Sequence, residues 1–425
     1  MRMSKQKKEL VPELRFPEFE KEPNWPCVRL NAVAKRSTSK NKGEKITRVL
    51  TNSAVNGVVD QRDYFDKDIA VKGNLESYYI VDKGDYVYNP RISSTAPVGP
   101  ISKNKVGKGV MSPLYTVFRF NSKTNDFFEQ FFKSSKWYAY LQTVSNSGAR
   151  HDRMSIASSD FMAMPVPNPC ELEQQKIADC LTSIDELITL HTQKLYALKA
   201  HKQGLMQQLF PAEGETVPKL RFPEFRSTEG WRGEAISNCL EKIIDYRGKA
   251  PPKSDTGIPL ITAKNVRTGW LDMSCDEYIE AGQYEDWMSK GIPAAGDVLF
   301  TTEAPLGNVA LFPATGKYAL GQRIITLRVK AKKCLPEFLF QSLLSPRMQR
   351  DIEYHSTGST AKGIKSSIFV KLSLFYPSIQ EQRKIIDFLS SIDSLIQSQD
   401  TKIKVLKSHK VGLMQKFFPV MDEVA

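Results

Sequence analysis

Along two long stretches of this 425-residue chain, the apolar positions recur in alternating steps of four and three. From Glu173 to Pro211 they are Ile177, Leu181, Ile184, Ile188, Leu195, Leu198, Leu205 and Leu209. From Glu381 to Pro419 they are Ile385, Leu389, Ile392, Ile396, Ile403, Leu406, Leu413 and Phe417. Such steps lay residues along one stripe of an α-helix. Sustained over about five heptads without an internal proline, they predict a coiled-coil seam. Two seam positions are polar in each stretch: His191 and Lys202 in the first, Gln399 and Lys410 in the second. Polar seam residues lower stability and fix register. Gly204 and Gly412 also sit inside the pattern, at about 1 kcal/mol each, which fits a close backbone approach there.

The two stretches are copies. Aligned without a gap, 22 of their 39 positions are identical, so the chain carries an internal repeat. The repeat extends outward. Leu14-Arg15-Phe16-Pro17-Glu18-Phe19 recurs as Leu220–Phe225, followed at equal distance by Trp25 and Trp231.

Elsewhere the patterning is mixed. Tyr78–Val81, Tyr86–Tyr88 and Tyr115–Phe120 read as strands, and Asp126–Thr143 has helical spacing with many aromatics. In the second half, Gly296–Thr301 answers Gly84–Asn89, and Ala304–Gly307 answers Ala96–Gly99. Gly358–Lys365 answers the loop Ser147–Arg153. Prolines at 165–169 and at 377 precede the two helices. The order is thus domain (1–170), helix (171–212), domain (213–378), helix (379–425). The expected class is α+β, with two mixed α/β domains in pseudo-two-fold arrangement, separated by two long helices. A 37-residue helix is about 55 Å long, and compact domains tend to have adjacent termini. The second helix is therefore expected to run back along the first as an antiparallel coiled coil, giving a dumb-bell.

Charge adds a candidate surface. The formal net charge is +13. The first repeat helix is neutral and the second carries about +3, so about +10 lies in the domains, where a polyanion partner is expected. Basic side chains gather in loops with Ser, Asn and Gly. Arg36, Lys40, Lys42, Arg91, Arg150 and Arg153 fall in the first domain. Arg247, Lys249, Lys253, Lys264, Arg267, Lys362 and Lys365 fall in the second, with Asn265 among them. These residue types suit phosphate and base-edge contacts.

Catalytic and metal signatures are missing. Gly358–Lys365 lacks the Gly-Lys-Ser/Thr ending of a phosphate loop. No Gly-rich cofactor fingerprint follows a strand, and no Asn-Pro-Pro-aromatic tetrad, as used by amino-methyltransferases, is present. The five histidines are scattered and no carboxylate cluster suggests a nuclease. The six cysteines show no zinc spacing and read as reduced thiols. No apolar run approaches 18 residues, so neither secretion nor a membrane span is expected and the predicted location is cytoplasmic.

Several motifs together carry a resemblance. They are Leu-Arg-Phe-Pro-Glu-Phe with its following Trp, the stretch Gly296–Gly307, the Glu-Gln-x-Lys-Ile helix starts, and the Leu-Lys-x-His-Lys-x-Gly-Leu-Met-Gln helix ends. With these the chain resembles the specificity subunit of type I restriction–modification systems over essentially its whole length. The resemblance implies a non-catalytic reader of double-stranded DNA. Each of two target-recognition domains takes one half of a bipartite site, and the helices set the spacing and dock two methyltransferase subunits. It implies no cofactor in this chain. S-adenosylmethionine, ATP and magnesium belong to the partners, which include motor-nuclease subunits. Two other readings stand beside it: an adaptor binding RNA or protein, and a nuclease of unfamiliar type.

Overall fold

The computed structural model describes residues 9–64, 75–145, 152–248, 250–274, 277–359 and 361–421. The chain forms two units, Met1–His191 with Lys402–Ala425, and Thr192–Thr401. The repeat helices run Glu171–Leu209 and Ile379–Phe417, and each unit holds one end of each helix.

In the first unit the outer strands are β1 (Trp25–Arg29) and β6 (Pro165–Pro167), paired antiparallel. Between them in sequence lie β2 (Ala34–Arg36), β3 (Tyr86–Tyr88), β4 (Ile101–Lys103) and β5 (Thr116–Phe120), an antiparallel sheet of order β2-β5-β3-β4. The second unit repeats the plan. Strands β7 (Arg232–Ala235) and β12 (Ser373–Tyr376) pair antiparallel. Strands β8 (Leu240–Asp245), β9 (Val298–Thr301), β10 (Val309–Leu311) and β11 (Ile324–Val329) form a sheet of order β8-β11-β9-β10. The shared strand order extends the internal repeat from the helices to the domains, whose sequences have diverged beyond the framework motifs.

The helix segments are antiparallel within each unit. In the first, Asp185 meets Lys410 at 2.6 Å, and Arg15 and Leu14 bridge Glu173 to the Lys416 carbonyl. In the second, Lys202 meets Asp393 at 2.7 Å, and Arg221 and Leu220 bridge Glu381 to the Gln208 carbonyl. Every apolar seam residue named from the sequence is buried or half-buried. Ile177, Leu181 and Phe417 enter the first core, and Leu209, Ile385 and Leu389 enter that of the second. The polar seam positions Lys410 and Lys202 are neutralised by Asp185 and Asp393. Burial pushes the Asp185 carboxyl up, but the hydrogen bond from Lys410 and the nearby charge of Lys133 outweigh it and leave it below the usual range. A domain helix adds a glutamine to each pair, Gln130 at 3.4 Å from Asp185 and Gln341 at 3.0 Å from Asp393.

The Leu-Arg-Phe-Pro-Glu-Phe motif clamps helix ends, and its residue types follow from that task. The Leu14 N–H donates to the Lys416 carbonyl, one of the acceptors a helix end leaves open. Arg15 bonds both carboxylate oxygens of Glu173, Phe16 stacks on Phe417 at 5.4 Å, and Glu18 pairs with Lys176. In the second copy Arg221, Phe222 and Glu224 meet Glu381, Phe388 and Lys384.

Two expectations are corrected. Gly204 and Gly412 are not close-approach points, since a Cβ at either meets nothing within 4 Å. Asp126–Thr143 is not one helix but two, Asp126–Phe132 and Tyr138–Val144. The Ser134 hydroxyl donates to the Phe131 carbonyl and the Trp137 indole to that of Phe132, replacing the bonds that would continue the turn.

Candidate nucleic-acid interface

Strands β2 and β3 both run antiparallel to β5, with Arg36 opposite Phe118 and Tyr88 opposite Thr116. Their carboxyl ends therefore leave the sheet at the same end. Arg36, Lys40 and Lys42 follow from β2, and Arg91 follows β3; all four are exposed. The Arg91 backbone forms an antiparallel bridge with Arg153. Ile92 N–H donates to the Asp152 carbonyl at 3.1 Å and Met154 N–H to that of Pro90 at 2.9 Å, which fixes the two loops together. The Arg153 guanidinium lies 3.3 Å from Asp152 and holds that carboxyl below its ordinary value. Arg150 lies outside the described residues, as does Lys249.

The second unit presents the same end of its sheet. Asp245 lies opposite Ile325 and Thr301 opposite Ile324. Arg247, just past β8, donates to Asp245 at 2.6 Å and to the Ser366 hydroxyl. Past β9, Glu303 pairs through its backbone with Gly363, and Ile364 N–H donates to the Thr302 carbonyl at 2.9 Å. That contact brings exposed Lys362 and Lys365 to the same end, Lys362 in an ion pair with Glu353. Arg267 lies in a short hairpin tied to the β9–β10 turn, where Asn308 donates to the Val266 carbonyl at 2.9 Å. Its guanidinium reaches Asp272 at 3.2 Å. Lys253 and Lys264 converge on Glu277 at 2.9 and 3.5 Å, so part of their charge is already balanced. Asn265 is buried. Its amide oxygen accepts from the Thr262 N–H and hydroxyl, and its nitrogen donates to the Asp272 carbonyl, so the side chain shapes a turn.

Three features escaped the sequence reading. Arg323, immediately before β11, pairs with Glu303 at 3.3 Å, and Trp270 stands 56% exposed beside Arg267. The third is a difference in loop length. Gly84 and Ala96 are 12 positions apart, but their counterparts Gly296 and Ala304 only 8, so the first unit has four more residues, Ile92–Thr95. The aligned motifs already carried that signal. The Glu303–Arg323 pair had none, because strand register brings the two together. Among the described residues no group of His, Cys, Asp and Glu is placed to hold a metal ion. No helix there is long and apolar enough to cross a membrane.

A family model for the type I restriction modification DNA specificity domain matches residues 30–200 and again residues 242–408. The chain belongs to this family. It is a specificity subunit carrying two DNA-recognition domains, each with the basic sheet end described above. It is 22% identical to the type I restriction enzyme MjaVIII specificity subunit of Methanocaldococcus jannaschii, over 72% of this chain and 73% of that one. It is 23% identical to the EcoKI specificity subunit of Escherichia coli K12, over 65% of this chain and 59% of that one. Among solved structures, it resembles the type I system S subunit of M. genitalium, with a TM-score of 0.56, 12% identity, and 96% and 99% of the two chains covered. A chain from a study of type I R-M complex assembly and conformational transition gives 0.55 at 17% identity, with 93% and 98% covered. Both structures share the fold.

Proposed function

We propose that each unit reads one half of a split double-stranded DNA site, while the paired repeat helices set the gap between the halves and dock two methyltransferase subunits. The observation that carries this reading is the repeated sheet. One strand order, β2-β5-β3-β4 and β8-β11-β9-β10, presents two differently charged loop sets from the same end. A common frame with divergent tips suits two modules that recognise different sequences in one manner. The basic tips supply phosphate contacts, and direct readout falls to side chains that reach base edges.

The chain acts in this reading without catalysing anything. S-adenosylmethionine, ATP and magnesium are held by the methyltransferase and motor-nuclease subunits, and the assembly works in the cytoplasm, where the DNA is. Docking of two equivalent partners is supported by the near-copy helices, which offer several outward side chains twice. Leu187 and its repeat partner Leu395 are examples, both exposed.

Methylome sequencing of the host with and without this gene tests the reading. A split, adenine-methylated motif is expected to vanish with the gene. An unchanged methylome contradicts it.

A further inference from the structure

We infer that Arg91 and Glu303, which occupy one framework position in the two units, are base-reading residues of opposite hydrogen-bonding character. Arg91 reads a guanine and Glu303 the amino group of a cytosine. The inference rests on the proposal that both units bind DNA, and adds to it which residues specify and what they specify.

The two positions are equivalent by frame. Gly84-Asp85 and Gly296-Asp297 open the matching strands, and residues 91 and 303 each lie seven positions after that glycine. Each is pinned through its backbone by an isolated antiparallel bridge to the loop before the last strand, Arg91 to Arg153 and Glu303 to Gly363. The Arg91 N–H also donates to the Asn89 side chain, which in turn donates to the Asn52 carbonyl. A fixed backbone carrying an exposed long side chain suits reading more than packing. Arg247 differs, because Asp245 and the Ser366 hydroxyl hold its guanidinium group and leave it one-third exposed.

The charge at position 303 is the informative feature. At the same sheet end lie Arg323, Lys365 and Lys362, the last already paired with Glu353. On a surface that meets phosphates a carboxylate is repelled, unless it faces a donor on a base. The pair with Arg323 leaves both side chains about half exposed, 56% and 49%, so water already competes for it and the carboxylate is available. A carboxylate only accepts, and the major-groove donor it matches is cytosine N4; an arginine only donates, and matches guanine O6 and N7. The four additional residues, 92–95, give the first unit a longer exposed tip beside Arg91. Reciprocal hydrogen bonds between Ser93 and Ala96, at 3.0 and 3.1 Å, close it.

The test is selection from a randomised duplex library by the full chain assembled with its modification subunit, comparing wild type with Glu303→Gln and Arg91→Ala. Glu303→Gln is expected to weaken preference at one C·G pair of one half-site by about 5- to 150-fold, with adenine gaining, because glutamine pairs with adenine N6 and N7. Arg91→Ala is expected to relax one guanine of the other half by a similar factor. The two assignments stand or fall separately. A motif unchanged at every position, or a loss of affinity uniform over all sequences, overturns the assignment for that residue. So does relaxation at a position that is not C·G. If wild type selects a split motif, such results reject the inference alone; if wild type selects no motif, the half-site reading falls with it. Should a variant fail to fold, Glu303→Ala and Arg91→Gln remove the same groups and are read in the same way, with adenine gaining at the Arg91 position.

Discussion

Arg221 and Glu381 form an ion pair whose side chains are only 6% and 2% exposed. Arg221 also donates to the Thr228 and Glu229 carbonyls, and the Trp231 indole reaches Glu381 at 3.3 Å. The pair is satisfied only as a whole. Arg221→Ala leaves a carboxylate enclosed without its cation, which costs about 3–5 kcal/mol. The urea midpoint of the second unit is expected to fall accordingly, and an unchanged midpoint contradicts the clamp. Arg153 poses the opposite case, a cation at the sheet end rather than in the frame. Half-buried and already beside Asp152, it fits phosphate better than a base edge. Arg153→Ala should weaken binding to all sequences alike and lower the slope of log affinity against log salt by about one. A change of sequence preference instead would make it a base contact. These roles were unevenly legible. That the basic loops hold the surface charge was readable from composition. Which cations are free was not, because Glu277 and Asp272 reach Lys253, Lys264 and Arg267 only through folding.

The repeat helices were the most legible elements, since a seam repeating every 3.5 residues has one structural meaning over this length. The Lys202 and Lys410 positions read as register devices, and Asp393 and Asp185 give them that role within each unit. The glycines misled because a helical glycine has two readings, close approach or open surface, and only neighbours in space decide. Open space at Gly204 and Gly412 turns the expectation around. Gly204→Ala and Gly412→Ala are each expected to stabilise the isolated chain by about 1 kcal/mol through helix propensity, raising its melting temperature. Leu195→Asp serves as the contrast, burying an unpaired charge in the seam at a cost of several kcal/mol. Destabilisation by either alanine, or tolerance of the aspartate, contradicts the packing described. The break at Lys133–Trp137 was hidden for a different reason. The apolar spacing of Asp126–Thr143 stays helical through it, and the side-chain bonds of Ser134 and Trp137 that end the first helix leave no periodic trace.

For the molecule as a whole, the central claim is modular reading: one frame used twice, each copy owning one half of the DNA site. Both units share their strand order, their helix clamps and their half-buried Asp–Lys pairs, and differ in the loops leaving one sheet end. The claim is tested most directly by replacing residues 213–378 with the corresponding domain of another specificity subunit and determining the selected DNA motif. Both repeat helices and the first domain stay in place, so the account predicts that one half-site changes while the other half and the approximate gap persist. A replacement that alters both half-sites contradicts it.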